Sequence, residues 1–79
     1  MEKKERKRIV SDPRIMAGKP VIKGTRVPVD VVLGSLIGGM TYEEIEKEYG
    51  IERDDIIAAI EHAAKFVFGE ELHPLKLNI

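Results

Sequence analysis

The sequence has no cysteine in its 79 residues, so neither a disulfide framework nor a thiolate zinc site is open to it. Long apolar runs are missing as well. Nothing approaches the roughly 18 apolar residues of a membrane-spanning helix, and MEKKERKR leads into IVSDPRI without the apolar segment of a secretory signal. A soluble, cytoplasmic protein with no membrane partner is expected. Catalytic patterns are absent too. Ser11 and Ser35 have no neighbouring histidine or lysine pattern, and His62 and His73 stand alone without ligand spacing. The residues therefore predict no catalytic group, no metal and no cofactor. A phosphate-binding P-loop is excluded by spacing, because five residues separate Gly18 from Gly24 and Thr25-Arg26 follows.

A chain this short makes one domain, and such a domain buries only about 60% of the surface its unfolded chain exposes. Oligomerisation is the support left to a small core without cross-links. The net charge of −1 conceals a polar distribution. Residues 1–26 carry nine basic side chains against three acidic ones, a balance of +6, whereas the remainder carries four basic and eleven acidic, a balance of −7. Any contact with a polyanion therefore falls to the N-terminal third.

Residues 1–8 are highly charged with nothing to bury and read as a basic arm. From Ile9 to Val31, apolar pairs alternate with turn residues, and proline at 13, 20 and 28 forbids a continuous helix. Two or three short strands or a hairpin are expected there. After Pro28 the period changes. Val29, Val32, Leu33, Leu36 and Ile37 form a helical stripe ended by Gly38-Gly39. Thr41 and Glu44 form a capping box that opens a second helix, with Met40 placed to staple onto Ile45, and Gly50 closes it. A third helix runs from about Arg53 to Phe68, with Asp54 and Asp55 at its positive end and Gly69 stopping it. It carries two apolar stripes. Ile56, Ile60, Ala63 and Val67 are expected to pack on the first two helices, and Ile57, Ala64 and Phe68 to face a partner. The domain thus spans 9–69, and 70–79 form a tail.

The stretch Thr41 to Ala59 has the spacing of a helix-turn-helix. Counted from Tyr42, the turn glycine is ninth, and Ile45, Tyr49, Ile51, Ile56 and Ala59 take the fourth, eighth, tenth, fifteenth and eighteenth places, where two crossed helices share a core. Its charge argues the other way. Glu43, Glu44, Glu46, Glu48, Glu52, Asp54 and Asp55, with Glu61 beyond, oppose only Lys47 and Arg53, and phosphates repel such a surface. Arg53 is the one outward residue of the third helix suited to bidentate contact with guanine. In GKPVIKGTR, Lys19, Lys23 and Arg26 are candidates for DNA-backbone contact, with Thr25 adding a hydroxyl. The same segment also fits a hairpin turn with solvated basic flanks. For protein contact the candidates are Ile57, Ala64 and Phe68, together with Leu72, Leu75 and Leu77 of the tail, where apolar residues alternate.

From Asp12 to Ala64 the string DPRIMAGKPVIKGTRVPVDVVLGSLIGGMTYEEIEKEYGIERDDIIAAIEHAA resembles the prokaryotic domain-of-unknown-function family 433. The residues that match its motifs are Gly18, Lys19, Pro20, Gly24, Thr25, Arg26, Gly39, Thr41, Glu44, Ile45, Asp55 and Ala59. The resemblance implies a helix-turn-helix, homeodomain-like fold. It further implies an antitoxin of a type II pair, because many members look like antitoxins encoded beside PIN-like ribonuclease toxins. No catalytic or ligand-binding residue comes with it. The basic arm and the tail lie outside the pattern.

The expected architecture is mainly α: a short β element followed by a three-helix, homeodomain-like or winged-helix-like domain that forms a homodimer. Two functions stay open. One is an antitoxin that binds a PIN-like toxin and operator DNA. The other is a protein-interaction module whose helix-turn-helix is a dimerisation scaffold and touches no DNA.

Overall fold

In the computed structural model, which describes residues 8–68, strands β1 (Ile9–Ser11) and β2 (Pro20–Ile22) pair antiparallel. Ile9 stands opposite Ile22, Val10 opposite Val21 and Ser11 opposite Pro20. Pro20 occupies the first place of its strand, where its missing amide hydrogen costs the ladder least. The loop between the strands is set by local chemistry. The Asp12 carboxylate accepts from the Arg14 amide at 2.9 Å, and the Asp12 carbonyl accepts from the Ile15 amide at 2.8 Å, as an Asp-Pro turn favours. Met16, Ala17 and Gly18 follow with φ of 50°, 55° and 86°. Only the glycine adopts that left-handed region freely.

After β2 the chain turns again over Ile22–Thr25. Gly24 has φ of 82°, as the third position of such a turn requires. The Thr25 hydroxyl donates to the Ile22 carbonyl at 2.8 Å and accepts from the Val27 amide at 2.9 Å. It is thereby committed to the turn.

Helix α1 (Val29–Ile37) begins after Pro28 and buries Val29 and Val32, with Leu33 and Leu36 packed on the core edge. Its end is a Schellman motif in which the Gly39 amide reaches the Leu36 carbonyl and the Met40 amide reaches the Ser35 carbonyl, both at 3.0 Å. Ile37 departs from the expected stripe and is 86% exposed. Eight residues at 100° each turn it about 80° away from Val29, on the last turn of a short helix.

Helix α2 (Tyr42–Tyr49) opens with the complete Thr41–Glu44 capping box and ends at Gly50 in the left-handed conformation, as the sequence predicts. Ile45 is fully buried. The Ser35 hydroxyl donates to the Val31 carbonyl at 2.9 Å, so at the 3.0 Å contact with Tyr49 the tyrosine is the donor, tying α2 to α1. Helix α3 (Arg53–Phe68) follows a turn whose Ile51 is also buried. The core is Ile22, Val29, Val32, Ile45, Ile51, Ile56 and Ala59. The fold is thus mainly helical, a two-stranded element followed by three helices.

One expected stripe of α3 is corrected. Ile56 is buried and Ala63 half-buried, but Ile60 is 37% and Val67 78% exposed, while Ala59 takes the core position. A 16-residue helix is about 24 Å long, whereas the nine and eight residues of α1 and α2 give only about 13 and 12 Å. The last turns of α3 outrun the elements that would cover them.

Candidate interaction surfaces

The four candidate DNA-contacting cations lie at different places. Lys19 precedes β2, and its ammonium sits 3.0 Å from Asp30 at the start of α1. Lys23 and Arg26 are exposed on the turn after β2, and among the described residues neither enters an ion pair. Arg53 donates through Nε to Glu46 at 2.8 Å and lies over the Tyr42 ring. The structure therefore separates this set into two engaged cations and two unengaged ones. Thr25 is not available to a phosphate, since both its hydrogen-bonding directions are used.

Arg8, which falls in the expected arm, has a structural role that its sequence position does not reveal. Its guanidinium contacts Asp55 at 2.8 Å, Glu52 at 3.4 Å and Asp54 at 3.6 Å, and its carbonyl accepts from the Lys23 amide at 2.7 Å. The hydrogen bond it donates to Asp55, above all, raises the arginine pKa further. Asp55 also accepts from the Glu52 amide at 2.9 Å, covering an orphan donor at the helix start. This clamp joins the basic turn, β1 and the first turn of α3 at one end of the molecule. The signal for it in sequence is the acidic triplet, which needs a counter-charge.

The third surface is apolar. Among the expected partner-facing residues, Ile57 is 40% and Phe68 61% exposed, and Ala64 is half-buried. Ile60 joins them, because positions 57, 60, 64 and 68 share one side of a helix. Phe66 (80%) and Val67 are more exposed still. Leu72, Leu75 and Leu77 lie outside the described residues. Phe66 points to the other side of α3, with its ring edge-to-face on His62 at 5.5 Å. There it borders a groove of about 250 Å³ between α1 and α3, walled by Val29, Leu33 and Ala63, floored by Pro20, and rimmed by the Lys19–Asp30 pair. No helix among the described residues is long and apolar enough to cross a membrane.

These features can be set beside known proteins. The chain is 38% identical over 56 residues to a Mycobacterium tuberculosis protein named "Putative antitoxin VapB45", a match covering 71% of this chain and 23% of the relative. It is 70% identical over 23 residues to an uncharacterised Archaeoglobus fulgidus protein, covering 29% of this chain and 64% of that one. The crystal structure of Rv2018 from Mycobacterium tuberculosis superposes with a TM-score of 0.61 at 38% identity, over 66% of this chain and 24% of the other. The chain thus spans about a quarter of the length of the mycobacterial relative and of the solved structure it matches. The model of one family matches residues 9–63, which hold both strands, α1, α2 and most of α3, and the chain belongs to that family, described as "Protein of unknown function (DUF433)".

Proposed function

We propose that this chain is the antitoxin-like module of a type II toxin–antitoxin pair, holding a PIN-like toxin through the apolar surface of α3 and operator DNA through the basic turn. The observation that carries this reading is the overhang of α3, where Phe66, Val67 and Phe68 stand in solvent on a domain similar to one named an antitoxin. Large apolar side chains left exposed on several sides of a helix end mark protein contact. The helix-turn-helix spacing of α2 and α3, with Ile45, Ile51, Ile56 and Ala59 all buried, supports a scaffold suited to DNA.

The ion pairs favour a second reading for the DNA half. Arg53 and Lys19 are engaged internally, and the start of α3 is acidic, so the helix-turn-helix also fits a dimerisation scaffold that touches no DNA. In both readings the protein is a cytoplasmic homodimer.

Co-expression with the product of the adjacent gene, followed by affinity purification and DNA titration at two salt concentrations, separates the possibilities. A stable complex whose DNA affinity falls steeply with salt supports the first reading. A stable complex indifferent to DNA supports the second. Failure to form any complex removes the antitoxin reading.

A further inference from the structure

We propose that β1 is an exchangeable strand, which leaves its own β2 and takes the same place on the β2 of a second copy of this chain. The loop between the strands carries the reason. To bring β1 back onto β2, residues 12–19 reverse the chain through Met16 and Ala17 at φ of 50° and 55°, a conformation disfavoured for L residues. A hinge that runs on to another chain makes no such reversal. Short connecting loops under strain invite exchange for this reason. Extended, these eight residues span about 26 Å, a reach that carries β1 off its own domain.

The strand is also lightly held. None of its three residues is fully buried, and Ile9 packs only on the edge of the core. Beyond the ladder it is tied down by Arg8, whose carbonyl accepts from the Lys23 amide and whose guanidinium meets Asp55, Glu52 and Asp54. Glu52 and Asp54 are about three-quarters exposed, so salt screens that part of the clamp. Strand β2 stays behind when β1 leaves. Val21 and Ile22 are buried, Val21 bridges to Pro28, and the Ile22 amide donates to the Val27 carbonyl at 2.9 Å. The vacated place fits the sequence of β1 itself, and a second copy supplies that sequence. Every contact of the closed chain then re-forms between chains, and only the hinge differs, so its strain decides the balance at a given concentration. The exchange needs neither toxin nor DNA and stands or falls separately from the antitoxin reading. Contact through the outward face of α3 is different again, because it leaves each β1 on its own β2.

The chain has no cysteine, so an introduced pair reports which strands are joined. Ser11→Cys with Pro20→Cys puts thiols at facing positions of the ladder, within reach of a disulfide. Full-length protein oxidised at rising concentration should give a growing share of covalent dimer on a denaturing, non-reducing gel, above the background of the two single variants. Adding Ala17→Gly, which relieves the hinge, should lower that share several-fold. Adding R8Q should leave the share unchanged but speed the mixing of chains several-fold, because the clamp is the same in both forms and broken only between them. Isotope-filtered Overhauser spectra of mixed labelled and unlabelled parent chains need no substitution, and cross-peaks between Ile9 of one chain and Ile22 of another are expected. These decide alone if the cysteine variant does not fold. Internal disulfides at every concentration, with the Ile9–Ile22 cross-peaks confined to single chains, would overturn the proposal. A dimer share indifferent to Ala17→Gly would overturn the hinge as its cause, and a mixing rate indifferent to R8Q would overturn the clamp.

Discussion

Arg53 donates from Nε to Glu46 Oε2 at 2.8 Å, across the turn that joins α2 to α3, and its guanidinium carbon lies 4.8 Å from the centre of the Tyr42 ring. Both partners are on α2. The arginine best placed at the start of α3 to read a guanine is therefore already held by a carboxylate and an aromatic face. Any DNA contact must exchange these for base and phosphate. If the chain binds DNA, E46Q should tighten binding several-fold by releasing Arg53 and removing a charge, whereas R53Q should relax sequence preference more than it weakens affinity. Fluorescence anisotropy with operator and scrambled duplexes reads both effects. A Glu46 variant that binds no better than the parent would show that Arg53 takes no part.

If the chain binds DNA, Lys23 and Arg26, which enter no ion pair among the described residues, should dominate backbone contact. Replacing both with glutamine should weaken binding about equally for all sequences and flatten the log–log salt dependence by roughly one per lost phosphate contact. Lys19→Gln should do less, since its ammonium is spent on Asp30. The salt slopes of the double variant and of Lys19→Gln decide the order, and a dominant effect of Lys19 would contradict it.

Local chemistry makes much of this fold legible in the sequence. The Thr41–Glu44 box, the glycine stops after α1 and α2, and the buried places of the two-helix unit all depend on contacts between near neighbours in sequence. What escaped depends on lengths and long-range partners. Ile60 and Val67 fit a core stripe by period alone, but α3 extends past the described elements that would cover its last turns. Arg8 looked like one more charge in an arm, and only the pairing of β1 with β2 brings it to Asp55, 47 positions away. The pairing of Lys19, unlike Lys23 and Arg26 among the described residues, likewise follows from where α1 starts.

Met16 and Ala17 sit at φ of 50° and 55°, a conformation that costs an L residue roughly 1–2 kcal/mol. Glycine avoids that cost but loses about 0.5–1 kcal/mol of backbone freedom on folding. Ala17→Gly should therefore stabilise the protein by up to about 1 kcal/mol. In the interior of α3, where the backbone is helical, Ala58→Gly should destabilise it by about 1 kcal/mol. Urea midpoints give the comparison, and the opposite signs are the content of the prediction. Destabilisation by Ala17→Gly would mean that the left-handed turn is not adopted in solution.

The Asp12 carboxyl is held below the ordinary aspartate pKa, first by the side-chain hydrogen bonds of Arg14 and then by the Arg14 amide. A depressed folded-state value means that the contact contributes stability above the unfolded pKa and loses it as pH falls through the folded one. Carboxyl carbon-13 titration should find Asp12 low in the parent. In R14Q it should rise toward the ordinary value while staying depressed in part, because the backbone donor remains. No change between the two would remove the side-chain contact.

Ile57, Ile60, Ala64 and Phe68 share one side of α3, and Phe66 lies about 180° round the axis from Ile57, at nine residues' separation. The outward stripe is thus distinct from the face that borders the groove. A stripe of this kind is self-complementary, since pairing two copies about a twofold axis sets each α3 against its equivalent and covers on both chains what a single domain leaves in solvent. The prediction is a dimer at micromolar concentration, read by light scattering. Substituting Ile57 and Phe68 together with lysine places two charges per chain on that stripe, and burying them unpaired is costly. Neither residue belongs to the buried core. The double variant should therefore scatter as a monomer with its helical circular dichroism retained. A parent protein that is itself monomeric and folded, or a double variant that still dimerises, would place the dimer contact elsewhere or remove it.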